Sequence, residues 1–389
     1  MSASSPEPFT VAVPDEAVDD LRERLRRTRW PGEFANETWR YGTSEAYLRE
    51  FVRFWAEEFD WRATEAAINA LPNFRVVIDG IPIHYVHVRG RGPAPLPLIC
   101  THGWPWTFWE FHDVIGPLSD PAAHGGDPAD AFDVVVPSLP GFGWSSPLTT
   151  PGVTCQRTAD LWATLMTDVL GYERFGAQGG DWGAVVTANL GHAYPERVVG
   201  VHESLPVLLG FDYTSVTADD YADEERGLWE RRREAAGTIT SHVAVHSTEP
   251  QTLAPALNDS PAGLASWMLG RRRAWSDCDG DLDRAYSRDF LAATLSIYWF
   301  TGTIGTSMRY YYENFGTPWV PRHDRTPAVE VPTGFAQFPR DVMPLPRAVL
   351  ERHSNMTRWT LMERGGHFGP SEAPDLLVAD VRAFFRALR

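Results

Sequence analysis

The sequence predicts an α/β fold with a mostly parallel sheet, helices on both faces, a helical insertion and an N-terminal helical extension. Three observations predict it. Short apolar segments alternate with segments of helical periodicity before residue 205 and again near the C-terminus. Alternating strand patterns flank Asp79-Gly80, which is a strong hairpin signal. Strand patterns are missing between about Pro206 and Pro321. Strands that alternate with helices favour a parallel sheet, and the strand-free segment favours an insertion.

The N-terminal part, residues 1–72, reads as helical. Amphipathic helices are expected over Pro14–Thr28, Ser44–Phe59 and Trp61–Leu71, ahead of the first strands. We expect this extension to wrap the core. The hairpin that follows it has predicted strands Asn73–Ile78 and Ile81–Val88.

Residues 73–205 and 322–389 carry the core pattern, and residues 206–321 read as a helical cap over the carboxyl edge of the sheet. The remaining predicted core elements are strands at Leu96–Cys100, Phe132–Pro137, Phe175–Gly179, Val198–His202, Ala328–Thr333 and Thr360–Glu363, and helices at Thr154–Leu170, Ala184–Leu190 and Pro374–Leu388.

Composition limits the class of function. The 35 basic and 51 acidic residues give a net charge of −16, which argues against a nucleic-acid or anionic-membrane partner. Three widely spaced cysteines fit neither a disulfide framework nor a zinc site. The first 18 residues lack the apolar core of a signal peptide, and no apolar run is long enough to span a bilayer. We expect a cytoplasmic protein.

Gly179-Gly180-Asp181-Trp182-Gly183 lies between an apolar strand pattern and a helix pattern. Strand, sharp turn and helix form the context in which a Gly-x-nucleophile-x-Gly elbow presents its central side chain. Here that residue is Asp181. An aspartate is ionised at neutral pH without a base, so it can attack an electrophilic carbon directly and form an ester. Alone, the pentapeptide is equally compatible with a loop whose Asp caps a helix.

Two further motifs fit a catalytic site. His102-Gly103-Trp104-Pro105 follows a predicted strand and can offer the backbone N–H of Trp104 to an oxyanion, together with the N–H of Trp182. Pro105 favours a cis Trp–Pro bond, and His102 is expected to be structural. Gly365-Gly366-His367-Phe368 follows the last predicted strand, where a histidine general base belongs in the order nucleophile, acid, histidine.

His367 needs a carboxylate that orients it. We choose Asp341, which follows the preceding predicted strand; the alternative role for Asp341 is a helix cap. Glu363, placed in the last strand, and Glu330 are weaker candidates. If the carboxylate attacks an epoxide, the alkoxide that it leaves needs an acid, and a neutral tyrosine fits. Of Tyr310-Tyr311-Tyr312, only one can point squarely at a site from a helix.

The chain resembles the microsomal-type epoxide hydrolases of the α/β-hydrolase fold, from about Thr28 to its end. The resemblance implies Asp181 as nucleophile, His367 as base, Asp341 as its partner and Tyr311 as one of two cap tyrosines. The matching motifs are Trp39–Thr43, Phe59–Arg62, Ile78–Gly80, His102–Pro105, Gly179–Gly183, Ala256–Pro261, Val331–Phe335 and Gly366–Phe368.

The sequence departs from that family at the other cap tyrosine. His242, within Ser241–Pro250, stands where the tyrosine is expected. Tyr311 then works alone or with His242 as a second acid or substrate contact, or the cap is reshaped for an unusual substrate. A shifted alignment would instead bring His246 or Tyr213 into the site.

We therefore predict an enzyme that hydrolyses a hydrophobic epoxide, bulky and aromatic or polycyclic, to a vicinal diol through an aspartyl ester. No metal or organic cofactor is expected. The epoxide and water are the expected partners, a homodimer is compatible with the sequence, and natural-product biosynthesis or detoxification is the expected setting. A haloalkane dehalogenase with the same Asp–His chemistry is the first alternative, and a non-catalytic hydrolase-like binding protein is the second.

Overall fold

The computed structural model describes residues 2–389. One nine-stranded sheet has the order β1-β2-β3-β5-β4-β6-β7-β8-β9. The strands are β1 (Glu7–Pro8), β2 (Asn73–Ile78), β3 (Ile81–Val88), β4 (Leu96–Thr101), β5 (Phe132–Pro137), β6 (Phe175–Gly179), β7 (Val198–Glu203), β8 (Thr333–Gln337) and β9 (Met356–Leu361).

Fifteen α-helices accompany the sheet within the described residues. They are α1 (Asp15–Arg26), α2 (Glu45–Glu57), α3 (Trp61–Asn69), α4 (His112–Ser119), α5 (Cys155–Thr164), α6 (Trp182–Ala193), α7 (Arg226–Thr248), α8 (Pro250–Asp259), α9 (Pro261–Trp275), α10 (Leu282–Ala285), α11 (Arg288–Thr301), α12 (Ile304–Gly316), α13 (Arg347–His353), α14 (Gly369–Glu372) and α15 (Pro374–Arg386).

The sheet is antiparallel at its first edge and parallel over the rest. β1, β2, β3 and β5 pair antiparallel, and Ile78 pairs with Ile81 across the Asp79-Gly80 turn, as that dipeptide predicts. From β5 to β9 every neighbouring pair is parallel. The carboxyl ends of these strands therefore meet along one edge, where folds of this class place their ligands.

Helices cover both faces of the sheet, and two neighbouring residues of β7 show this. Gly200 lies against Phe384 of α15, while Val201 lies against Gly191 of α6. Adjacent side chains of a strand point to opposite faces, so α15 and α6 cover opposite faces. The predicted α/β-hydrolase class, with helices on both faces, is confirmed.

The predicted strand at Ala328–Thr333 is wrong in position. β8 runs over Thr333–Gln337 instead, and all five of its residues are buried. Pro332 has no N–H to donate to a ladder, and the pairing of β8 with β7 begins at the next residue, Thr333. Val329 and Val331 are buried against Gly191 of α6 without joining the sheet. β9 likewise ends at Leu361, so Glu363 lies beyond it and is exposed.

The segment between β7 and β8 contains six helices, α7 to α12, and no strand. The N-terminal helices pack onto this segment. The indole N–H of Trp55, on α2, donates to the hydroxyl of Ser296 on α11 at 2.9 Å, and both side chains are buried. Thr43 and Arg24 add bonds to Ser266 and Asp259 at 2.7 and 2.8 Å. The extension also adds β1 to the sheet edge, a strand that the sequence patterns did not predict.

The interior is apolar and aromatic, and the three cysteines, Cys100, Cys155 and Cys278, are buried as free thiols. Within residues 2–389, no helix combines the length and hydrophobicity that crossing a bilayer requires.

Candidate active site

Asp181 occupies the turn between β6 and α6 with a backbone geometry that is rare for a residue with a side chain. Its φ is 52° and its ψ is −126°, a sparsely populated combination that is typical of functional sites. Glycines make the turn possible. A Cβ on Gly179 would lie 2.2 Å from the carbonyl oxygen of Gly183, and one on Gly183 would lie 1.9 Å from that of Thr101. The elbow predicted from the sequence is therefore present, packed directly on β4.

One oxygen of Asp181 is held by the loop after β4. The backbone N–H of Trp104 donates to Oδ1 of Asp181 at 2.7 Å. Gly103 allows this approach, because a Cβ there would lie 2.2 Å from the same oxygen. The Trp104–Pro105 peptide is cis, as Pro105 predicts. Trp182 is the first residue of α6, so its N–H is one of the helix amides that lack an intrahelical acceptor.

His102 lies under this loop as a structural residue. Its Nε2 accepts from the N–H of Leu139 at 3.0 Å, so its Nδ1 carries the proton and donates to the carbonyl of Gly103 at 2.9 Å. Burial lowers the pKa of His102 to about 4, which keeps the ring neutral.

The structure brings His367 between two carboxylates. Its Nε2 lies 3.2 Å from Oδ2 of Asp181, and its Nδ1 lies 2.8 Å from Oδ1 of Asp341. The Asp341 and His367 side chains are each only 1% exposed. Asp341 follows β8 and His367 follows β9, so both reach the carboxyl edge of the sheet beside the elbow. Glu330 pairs with Arg325 instead, and Glu363 is exposed.

The charge on His367 depends on these neighbours. Burial alone would lower its pKa, but Asp341 and Asp181 outweigh burial and raise the pKa of His367 to about 10. In the resting protein the imidazole is therefore protonated at neutral pH, and an ion pair joins it to Asp181.

The three successive tyrosines of α12 have three different environments. Tyr310 is buried in the core, with its hydroxyl 2.8 Å from that of Thr158, and Tyr312 is half exposed. Tyr311 is buried with its ring edge-on to Trp104 and Trp182, at 5.9 and 4.7 Å. Burial, followed by the charge of Asp181, raises the pKa of Tyr311 well above its ordinary value, so its hydroxyl stays protonated.

His242 lies beside Tyr311. Its ring stacks on Trp104, with centroids 5.1 Å apart and planes 10° apart, and meets Tyr311 edge-on at 5.3 Å. Burial, helped by nearby His246 and Arg271, holds the pKa of His242 far below its usual range. The ring is therefore a neutral imidazole.

His242 lines the cavity described below, and His246 and Tyr213 do not. The ring of His246 nevertheless contacts Tyr311, with centroids 4.9 Å apart. His246 accepts from the indole N–H of Trp267 through Nε2 at 3.1 Å. The hydroxyl of Tyr213 lies 2.7 Å from the backbone nitrogen of Leu208, in the loop that follows β7.

A cavity of about 180 Å³ lies at the carboxyl edge of the sheet. Asp181, His367, Tyr311 and His242 supply its polar groups. Its other lining residues are mostly apolar, and comprise Trp182, Val185, Leu205, Ile239, Val243, Trp275, Phe315, Val342 and Met343. Sequence reasoning missed Trp275, the last residue of α9, because no motif marks it. Its backbone carbonyl accepts from the N–H of His367 at 2.8 Å.

The fold and the cavity define an α/β-hydrolase with a carboxylate at the nucleophile elbow. Two family descriptions match: "Epoxide hydrolase N terminus" over residues 6–111, and "alpha/beta hydrolase fold" over residues 97–224. A candidate epoxide hydrolase of Stigmatella aurantiaca (strain DW4/3-1) is 40% identical over 384 residues, which cover 98% of this chain and 85% of that protein. Epoxide hydrolase 1 of Oryctolagus cuniculus is 35% identical over 405 residues, covering 97% and 88%. The chain belongs to the microsomal-type epoxide hydrolase family, and is an enzyme that hydrolyses epoxides.

Solved structures agree with this assignment. Juvenile hormone epoxide hydrolase from the silkworm Bombyx mori matches with a TM-score of 0.87 at 26% identity, over 99% of this chain and 95% of that one. Epoxide hydrolase of Aspergillus niger matches with a TM-score of 0.84 at 28% identity, over 99% and 97%.

Proposed function

We propose that this chain opens its epoxide in two steps, through an ester on Asp181. The observation that carries the proposal is the position of the Asp181 carboxylate. One oxygen accepts a hydrogen bond from the N–H of Trp104, and the other faces His367. The carboxylate lines an apolar cavity that Tyr311 also lines. Each group that the two steps require is thus within one site.

In the first step Oδ2 of Asp181 attacks an epoxide carbon and the C–O bond of the ring breaks. Tyr311 donates its proton to the ring oxygen, which becomes a hydroxyl. The product is a hydroxyalkyl ester, in which Oδ1 remains the carbonyl oxygen on the N–H of Trp104. A buried phenol is suited to this role because it stays neutral and donates a hydrogen bond.

In the second step His367 accepts a proton from water, and the resulting hydroxide attacks the ester carbonyl carbon. The N–H groups of Trp104 and Trp182 stabilise the oxyanion that forms on Oδ1. Collapse of the intermediate releases the diol and restores the carboxylate. One proton of water ends on the leaving oxygen and the other on His367, which by then has passed its resting proton to the Tyr311 phenolate, so the sum is epoxide plus water gives vicinal diol.

Esterification also switches His367 from acid to base in this proposal. The ester removes the negative charge of Asp181, one of the two charges that raise the pKa of His367. The pKa of His367 falls, so it gives its resting proton to the phenolate that the first step left at Tyr311, and the neutral imidazole that water activation needs becomes available.

His242 is proposed as a hydrogen-bond donor to the substrate and not as an acid. A neutral imidazole can donate one N–H, but giving up that proton would form an anion in an apolar cavity. Proton transfer therefore stays with Tyr311, and His242 contributes orientation.

The substrate class follows from the size and polarity of the cavity. The volume of this cavity, about 180 Å³, is below the roughly 300–1,000 Å³ of pockets that bind drug-sized ligands. This supports an epoxide with one compact apolar substituent, such as a single aromatic ring. It does not support the polycyclic substrate that the tryptophan-rich sequence suggested. Haloalkanes are the contrasting substrates, and halide release without diol formation would favour them.

The division of the chain supports the same mechanism. We propose that residues 206–321 act as a cap that supplies Tyr311, His242 and Trp275, while residues 73–205 and 322–389 form the core that supplies Asp181, Asp341 and His367. Residues 1–72 are proposed to hold the cap. The homodimer, the absence of nucleic-acid partners and the cytoplasmic location stay predictions.

The test is intact-protein mass spectrometry of His367→Gln incubated with styrene oxide, a compact aromatic epoxide. We expect an adduct of one epoxide mass that peptide mapping locates on Asp181, because alkylation precedes water activation. The double variant Asp181→Asn/His367→Gln is the control and should stay unmodified. A folded His367→Gln variant that gains no adduct from a panel of compact epoxides would contradict the ester mechanism.

A further inference from the structure

The loop that carries His367 is held by a complete set of backbone hydrogen bonds. All four N–H groups of residues 365–368 have an acceptor. Gly365 donates to Oδ2 of Asp277 at 2.9 Å, and His367 donates to the carbonyl of Trp275 at 2.8 Å. Gly366 and Phe368 both donate to Glu372, at 3.0 and 2.9 Å. Glu372 therefore binds the peptide groups on either side of His367.

The same carboxylate reaches the segment that follows α9. Oε2 of Glu372 accepts from the N–H of Asp277 at 2.6 Å as well as from Gly366, and Oε1 accepts from Phe368. Three N–H groups from two separate segments thus meet on one side chain.

We propose that Glu372 is a positioning residue for ester hydrolysis, which holds the His367 loop in register with Asp181 and ties it to the segment after α9. The inference rests on the proposed roles of Asp181 and His367. It concerns a side chain that contacts neither the epoxide nor the reacting atoms.

Only a carboxylate satisfies these three donors. Its two oxygens are acceptors without a proton, whereas the amide of glutamine presents an NH₂ group to at least one N–H. Alanine ends at Cβ, so it would leave all three donors without their acceptor. We therefore expect the position of the loop to be disturbed more in Glu372→Gln than in the unmodified protein, and most in Glu372→Ala.

Packing on the other side of the loop supports a fixed position. The guanidinium of Arg272, on α9, lies 4.0 Å from the ring centre of Phe368. Arg272 is itself held by the buried carboxylate of Glu110 at 2.5 and 2.8 Å, and Ser371 bonds to the same carboxylate. The loop is thus held by Glu372 and by Arg272 together. Loss of Glu372 removes the acceptors of Gly366 and Phe368, so the loop that carries His367 can shift.

The two half-reactions separate this role from general stability. Alkylation uses Asp181 and Tyr311, which the elbow and α12 hold without contact to Glu372. Hydrolysis uses His367, and a displacement of about 1 Å from the reactive geometry costs on the order of 100-fold in rate. Loss of Glu372 should therefore slow hydrolysis and spare alkylation.

The experiment is single-turnover quench-flow with styrene oxide, in which mass spectrometry follows the rise and decay of the ester on Asp181. Partial burial raises the pKa of Glu372 to about 7, so the assay belongs near pH 8.5, where the carboxylate is ionised. The variants are Glu372→Gln and Glu372→Ala. The matched control is Asp375→Asn, an exposed carboxylate three residues away that pairs with Arg364 at 2.6 Å.

We expect the decay of the ester to slow by roughly 10-fold in Glu372→Gln and roughly 100-fold in Glu372→Ala, with its rise unchanged. Asp375→Asn should match the unmodified protein in both phases. An unchanged decay in both Glu372 variants would overturn the inference, as would rise and decay that fall together. Failure of His367→Gln to accumulate ester would be a different result, since it would overturn the proposed function and this inference with it.

Discussion

Asp181 acts on His367 as well as on the substrate. The two side chains lie 3.2 Å apart, and the carboxylate is one of the charges that keep the imidazole protonated. A neutral residue at position 181 imitates the electrostatic effect of the ester, because both remove that charge.

We therefore predict that Asp181→Asn lowers the pKa of His367 from about 10. The sign follows from the loss of an opposite charge within hydrogen-bond distance, which stabilised the protonated form. NMR titration of the imidazole resonances of His367 in both proteins measures the shift. An equal or higher pKa in Asp181→Asn would contradict the switch from acid to base.

The hydroxyl of Tyr311 is the acid that the alkylation step needs in the proposed mechanism. Tyr311→Phe keeps the buried ring but removes the proton donor, so we expect alkylation to slow by about 100-fold or more. The control is Tyr312→Phe, the same substitution on the half-exposed neighbour, which should leave the rate unchanged. Equal alkylation rates for both variants would move the acid role to another residue.

At the scale of elements, the elbow depends on how closely α6 approaches β4. We predict that Gly183→Ala destabilises the protein by roughly 1–3 kcal/mol or more, because its Cβ would meet the Thr101 carbonyl at 1.9 Å. Gly237→Ala is the matched control. Gly237 is exposed within α7 with nothing within 4 Å of an added Cβ, so alanine should stabilise by about 1 kcal/mol. Urea unfolding measures both, and equal stabilities would contradict the packing argument.

Elements with a strong local signal could be predicted from the sequence. β2, β3, β5 and β6 have the predicted bounds, because a Gly turn or an apolar run ends at each of them. β8 was missed because its Thr-Gly-Phe-Ala-Gln sequence is weakly β-prone and becomes a strand only through burial between β7 and β9.

For the site, motif spacing led to Asp181, His367, Asp341 and Trp104, which the structure brings together. The choice among three tyrosines depended on the phase of α12, and the stacking of His242 on Trp104 depended on how α7 packs. Neither is set by local sequence. Glu372 was not singled out, because its role arises from backbone groups of two segments that are distant in sequence.

At the scale of the whole molecule, the N-terminal extension and the cap share a buried interface. Its polar centre is the bond between Trp55 and Ser296. We predict that Trp55→Phe destabilises the protein by about 1–3 kcal/mol, because it leaves the buried hydroxyl of Ser296 without its donor. Thermal unfolding measures this. The control is Trp30→Phe, at a partly exposed tryptophan of the same extension, which should change the free energy of unfolding by less. A larger effect of Trp30→Phe would contradict a stabilising role for the buried Trp55–Ser296 bond.

The extension's bonds to the cap have a consequence for the order in which the chain folds. Trp55 and Ser296 are 241 residues apart, and Thr43 and Ser266 are 223 apart. At the usual 5–20 residues per second, a ribosome delivers those partners roughly 10–50 seconds after the extension has been made. The first helices to emerge are therefore among the last to reach their final packing. α2 can pack on α1 early, but its contacts with α9 and α11 form only after the cap has been made. Nascent chains of this protein should depend on chaperones most strongly before residue 296 has left the ribosome.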